Sequence, residues 1–166
     1  MSSERLNDAT RLKGDAKVRG LVQTVELFEL TFSVWSKSNQ CAAADIAINE
    51  SGRRLYGVVY EIPDFLLTRD TAELQNRISM DRIEGEGTNY VRRPIHVEAL
   101  DGKQFTAITY VVKNPQSGLQ TSLNYVKHIL KGLAEHKMPD EYQKYVTAQI
   151  CLNNPALRPQ LQPVKT

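Results

Sequence analysis

Asp101-Gly102 stands between two runs of strand character, residues 90–99 and 103–112. That dipeptide readily takes the positive backbone angles of a tight turn, so the flanking runs are expected to pair as an antiparallel hairpin. Ile95, Val97 and Ala99 share one side of the first run, the period of two that marks a strand with one face on a core. An isolated hairpin is marginal in water, so further strands and a cover for the apolar face must come from elsewhere in the chain.

Residues 23–34 alternate, with Phe28, Leu30, Phe32 and Val34 opposite Glu29, Thr31 and Ser33, and read as one long half-buried strand. Residues 35–40 form a polar turn, and residues 42–48 a second strand of small side chains, ended by Asn49-Glu50-Ser51-Gly52. The run LYGVVYEI (55–62) is apolar almost throughout, which suggests a central strand closed by Pro63. Over residues 64–84 the period changes: Asp70 with Glu73 resembles a capping box, and Leu74, Ile78 and Met80 follow at helical spacing up to Gly85 and Gly87. A helix over 122–133 gathers Tyr125, Val126, Ile129, Leu130 and Leu133 on one face. Pro139-Asp140-Glu141 opens another helix. The first dozen residues read as a short helix with Ser2 or Ser3 as cap, and Gly14 and Gly20 break any helical pattern beyond it. The tail with Pro155, Pro159 and Pro163 reads as irregular. The order implies an α+β domain over residues 1–153 with a tail over 154–166, its sheet closed or strongly curved.

The whole chain has 166 residues, enough for one domain with a sizeable core. Its 21 basic and 19 acidic residues leave +2, too even a balance for an electrostatic footprint toward nucleic acid or an anionic membrane. The longest uncharged run, residues 30–36, is far too short to cross a bilayer, and Met1-Ser2-Ser3-Glu4-Arg5 lacks the apolar core of a secretory signal. Cys41 and Cys151 form no close pair and read as two buried thiols. A soluble cytoplasmic domain is the resulting expectation.

His96, His128 and His136 are scattered, without zinc-ligand spacing, and no nucleotide-binding glycine motif occurs. Neither a metal nor a cofactor is therefore expected. Arg92-Arg93 reads as a solvated face. The informative stretch is Met80-Asp81-Arg82-Ile83-Glu84-Gly85. A glutamate at the last position of a helix meets the electronegative end of that helix, which raises its proton affinity and suits it to acid–base work. From composition alone, a surface glutamate beside a capping glycine is the better description.

Several segments together resemble the gamma-glutamylcyclotransferase (AIG2-like) family: LYGVVYEI at 55–62, Asp81-x-x-Glu84-Gly85, Tyr90-x-Arg92, the Asp101-Gly102 hairpin with TYVV at 109–112, and Ser122-x-x-Tyr125 followed by Ile129, Gly132, Glu135, Pro139 and Tyr142. The resemblance spans roughly residues 14–150. Thr121 stands where the family has proline, and Lys137-Met138 where it has glycine-leucine. The family's fold is a small mixed β-barrel with flanking helices. Its reaction folds a γ-glutamyl group on itself: the α-amine attacks the γ-carbonyl, giving 5-oxoproline and a free amino acid or amine. Holding both reactants on one molecule supplies much of the rate, and one carboxylate can carry both proton transfers.

The resemblance places Glu84 as that carboxylate. It places Tyr90 and Tyr125 near the cavity, where each is either a substrate contact or a barrel-lining residue. The partner implied is a small γ-glutamyl compound; oligomeric state stays open. A non-catalytic member that binds a small ligand or partner is the alternative, and a general α+β domain a third. The family's opening strand and Tyr-Gly-Ser-Asn loop, which cradles substrate with backbone amides, has no counterpart in the 166 residues. The chain as written is accordingly expected to be inactive and less soluble than a longer form, unless another segment, such as residues 85–89, supplies the donors.

Overall fold

The computed structural model describes residues 3–68 and 77–161. Its elements run α1 (Ser3–Leu6), β1 (Lys17–Thr24), β2 (Phe28–Ser36), β3 (Cys41–Ile48), β4 (Tyr56–Glu61), α2 (Met80–Glu84), β5 (Tyr90–Ala99), β6 (Gln104–Val112), α3 (Leu123–Glu135), α4 (Asp140–Asn153) and α5 (Arg158–Leu161). The hairpin forms as expected, with Tyr90 opposite Val112 and Glu98 opposite Gln104, and Gly102 closes it at φ +84°. β1 pairs antiparallel with both β4 and β5, which sets the order β4-β1-β5-β6 in one sheet; β2 and β3 form a second.

The α+β class is met, but the barrel is not closed: among the described residues no ladder joins β4 to β6 or one sheet to the other. A cavity of about 740 Å³ lies between these edges instead. Alternate residues of β1 and β5 (Val22, Thr24, Ile95, Val97) floor it, whereas β4 and β6 contribute consecutive residues. A strand that exposes both of its faces to one cavity is that cavity's rim. This corrects the expectation of a central strand at 55–62. β4 is an edge, and its apolar character on both faces fits a rim rather than burial between two neighbours.

Other boundaries differ for local reasons. The single strand expected over 23–34 is two strands, because the chain turns after Thr24, whose hydroxyl donates to the Glu26 carbonyl at 2.8 Å. No helix crosses Gly14 or Gly20, as expected; Gly20 lies instead within β1, whose pairing with β4 shifts register between Val18 and Gly20, and the glycine takes φ +147° there. Of the helix expected over 64–84, Asp64–Leu66 is a 3₁₀ turn and Met80–Glu84 is α-helical, with Ser79 extended at ψ 159° as the cap. Asp70, Glu73 and Leu74 lie outside the described residues. The tail is not irregular at its start: Pro155–Leu157 turns once and buries Leu157.

The helices cover the sheets as the sequence periodicity requires. Val126 and Leu133 of α3 and Val146 and Ile150 of α4 are buried against Val22, Phe28 and Val97. α3 ends with Lys137 at φ +49°, while the Met138 amide bonds back to the Leu133 carbonyl at 3.0 Å. That is a left-handed helix cap, a conformation that favours glycine, and Lys137 adopts it here. No helix among the described residues is long and apolar enough to cross a membrane.

The two sheets meet along a seam built from side chains. The buried Asp45 carboxylate accepts the Val112 amide at 3.0 Å, and the Tyr125 hydroxyl accepts the Ala44 amide at 2.9 Å. Tyr145 does the same for Leu30 at 3.0 Å. A buried amide without an acceptor costs about 1–3 kcal/mol. Asp45→Ala should therefore lower unfolding free energy by about that amount in urea titration, while Asp45→Asn, which keeps an acceptor, loses clearly less. An alanine variant as stable as wild type would contradict the seam.

Candidate functional site

Helix α2 is one turn of five residues, too short to be stable by itself, and three contacts hold it. Ser79, 1% exposed, caps it by accepting the Arg82 amide at 3.3 Å. Asp81, 3% exposed, accepts the Tyr110 hydroxyl at 2.8 Å and lies 3.2 Å from Arg92 Nε. Gly85 ends the helix in the left-handed conformation, φ +68°. The Asp81-x-x-Glu84-Gly85 spacing thus has a mechanical meaning: Asp81 pins the helix to β5 and β6, and Glu84 is its last residue. Arg92 belongs to this anchor rather than to a merely solvated face.

Burial, first of all, raises the proton affinity of Glu84, while the guanidinium groups of Arg11 and Arg5 pull it back. Desolvation of the carboxyl replaces the helix-end effect expected from sequence. Tyr90 and Tyr125 both lie within electrostatic reach of Glu84 and of one another, so the three residues singled out in the sequence do converge. Burial raises the pKa of both phenols, and both stay protonated donors near neutrality. Tyr125 has accepted the Ala44 amide, which leaves its own proton available to another acceptor. Both rings pack against Val34, Ala43 and Val112 at the seam.

Residues 85–90 do not supply an amide cradle. Gly85 bonds to the Arg82 carbonyl, Glu86 to Asp81, Gly87 to Tyr90, and Thr88, Asn89 and Tyr90 to Gly85, at 2.8–3.4 Å. The charge-stabilising groups near Glu84 are side chains, namely Arg5, Arg11 and the two phenols. Arg5, Arg11 and Asp45 were not singled out from sequence; they lie far from Glu84 along the chain, and no spacing rule connects them.

Among the described residues no group of His, Cys, Asp and Glu is arranged to hold a metal ion. His96 pairs with Glu26 at 2.8 Å on the surface, and His136 Nε2 meets the Tyr60 hydroxyl at 3.0 Å. Cys41 and Cys151 are free and buried. The 740 Å³ cavity has neither Glu84 nor the two tyrosines on its walls.

A carboxyl whose pKa is higher in the folded chain than in the unfolded one favours folding only while protonated. Its contribution is complete below the unfolded value, 4.5, and is lost as pH rises through the higher folded value. Glu84→Gln should therefore be more stable than wild type at pH 7, with the gap closing below about pH 4.5. Thermal melts of both proteins across that range decide it; a gap that widens in acid would be the wrong sign.

Comparisons with known proteins bear on the fold and the family. No curated protein matches the sequence at significance. Among solved structures, a gamma-glutamyl cyclotransferase superposes with a TM-score of 0.71 at 24% identity, covering 89% of this chain and 80% of its own. An uncharacterized Homo sapiens protein gives 0.67 at 25% identity, with 82% and 76% covered. YkqA from Bacillus subtilis gives 0.67 at 18% identity, with 90% of this chain and 50% of its own covered. These likenesses establish the fold. The AIG2-like family profile matches residues 54–146, more than half of the chain and the whole span from β4 through Glu84 to Tyr125, so the protein belongs to the AIG2-like family.

Proposed function

We propose that the chain is a cyclotransferase acting on γ-glutamyl compounds, with Glu84 as its acid–base. The observation that carries this reading is the Glu84 carboxyl itself: it is desolvated, its proton affinity is raised, and two phenols and two guanidinium groups lie within electrostatic reach of it. A group that must accept a proton from an ammonium and return it to a leaving amine works best with a pKa displaced toward neutrality. Glu84 takes the proton from the α-ammonium, and the freed amine attacks the γ-carbonyl of the same molecule. The resulting oxyanion is stabilised by hydrogen bonds and positive charge from Tyr125, Tyr90 and Arg11. Glu84 then protonates the departing nitrogen and the amide bond breaks. The ring nitrogen gives its second proton to the regenerated carboxylate, which passes it to the freed amine, and 5-oxoproline and the amine, now an ammonium, leave.

A second reading is favoured by one observation, the complete use of the amides at residues 85–90. Under it, the same residues bind a γ-glutamyl compound without turning it over.

Measuring 5-oxoproline release from γ-glutamyl-alanine separates the two. The cyclotransferase reading expects Glu84→Gln to lower kcat/KM by about 100-fold or more. It also expects wild-type kcat/KM to fall with acidification through a pKa above 4.5. Binding with release at the uncatalysed rate would establish the second reading. Equal turnover by the wild type and the Glu84→Gln variant would remove Glu84 from the chemistry.

A further inference from the structure

The sheet that floors the 740 Å³ cavity is antiparallel throughout: β4 against β1, β1 against β5 and β5 against β6. Its two outer strands therefore run in opposite directions. Each has a strand neighbour on one side only, so every second residue sends its amide and carbonyl away from the ladder. Among the described residues, 57–59 of β4 and 106–109 of β6 make no backbone hydrogen bond outside those ladders, and both stretches line the cavity. Unpaired edges of this kind are templates for another strand.

What lines the space between the edges narrows the choice of occupant. The walls are largely apolar, Val58, Val59, Phe105 and Ile108 among them, and their charged members are Glu61 and Asp64, with no lysine or arginine among the described residues. Both carboxylates belong to one end of β4, Glu61 as its last residue. Glu61 is partnered by Arg19, whereas Asp64 has no ion pair among the described residues. An apolar small molecule would fill the space and leave the main-chain groups unmet. A polypeptide strand meets both demands, because it carries amides and carbonyls on both edges and side chains on both faces.

We propose that this gap binds an extended segment of another polypeptide, about six residues long to match β4, apolar along its length and carrying a lysine or arginine at the end that meets Asp64. The segment becomes a fifth strand between β4 and β6. Because those edges run in opposite directions, it lies parallel to one and antiparallel to the other. Main-chain pairing supplies the affinity, and the cation beside Asp64 sets which end of the segment lies there.

Calorimetry and hydrogen exchange on the whole chain test this with two synthetic peptides, acetyl-KTVIVTV-amide and acetyl-TVIVTVK-amide. At least one is expected to bind and to slow exchange at outward amides within residues 57–59 and 106–109, while β2 and β3 exchange as before. The tighter of the two gives the direction of the added strand. N-methylation of either alternate set of peptide amides removes donors toward one edge and should weaken binding about tenfold or more. Asp64→Asn, an exposed change, should weaken it about 2- to 5-fold. Failure of both peptides to bind overturns the proposal. Equal binding of the N-methylated peptides overturns it too, since the gap would then be an apolar cavity and not a strand site. So does protection of both edges without peptide, in step with dimerisation as protein concentration rises, which would give the gap to a second copy of the chain.

Discussion

The Tyr125 hydroxyl does two jobs at one atom, and the site depends on that coincidence. By accepting the Ala44 amide at 2.9 Å it fastens α3 to the small sheet of β2 and β3, which among the described residues no ladder connects to the larger one. With its oxygen so occupied, its proton is directed elsewhere, and Glu84 is among the groups in electrostatic reach. Asp45, through the Val112 amide, makes the companion bond. Seam and site therefore share residues. Loosening the sheets would also displace the phenols around the carboxyl.

A second constraint acts on Glu84 from below. One turn of helix has no stability of its own, so its orientation is inherited from the buried Asp81, gripped by Tyr110 and Arg92 on the two strands of the hairpin. Burial raises Glu84's proton affinity, and the N-terminal segment brings Arg5 and Arg11 to moderate the shift. Desolvation and positive charge oppose one another at this atom. A carboxyl left with burial alone would lie neutral too readily to serve as a base, and one facing both guanidinium groups in water would be too weak a base.

Much of this was legible in the sequence where one rule governed locally. The Asp101-Gly102 turn, the alternation of residues 90–99 and the apolar face of α3 each require only short-range pattern, and each appears as expected. The Glu84-Gly85 helix end was legible for the same reason. What failed depended on distant partners. Residues 55–62 are apolar on both faces, which in isolation says central strand; only the arrangement β4-β1-β5-β6 reveals an edge that rims a cavity. The turn after Thr24 arises from its bond to Glu26, invisible to a count of alternating residues. Arg5 and Arg11 reach Glu84 across more than seventy positions, and the cause of its raised affinity, burial rather than the helix end, could not be read without the fold.

The central claim is that Glu84 is a desolvated carboxyl held in check by Arg11, and a site-resolved NMR titration of its side-chain carboxyl carbon tests it most directly. The account predicts a midpoint above the ordinary 4.5, moving higher again in Arg11→Gln because an opposing positive charge has been removed. A midpoint at or below 4.5, unmoved by that substitution, would show an ordinary solvated glutamate and contradict the account.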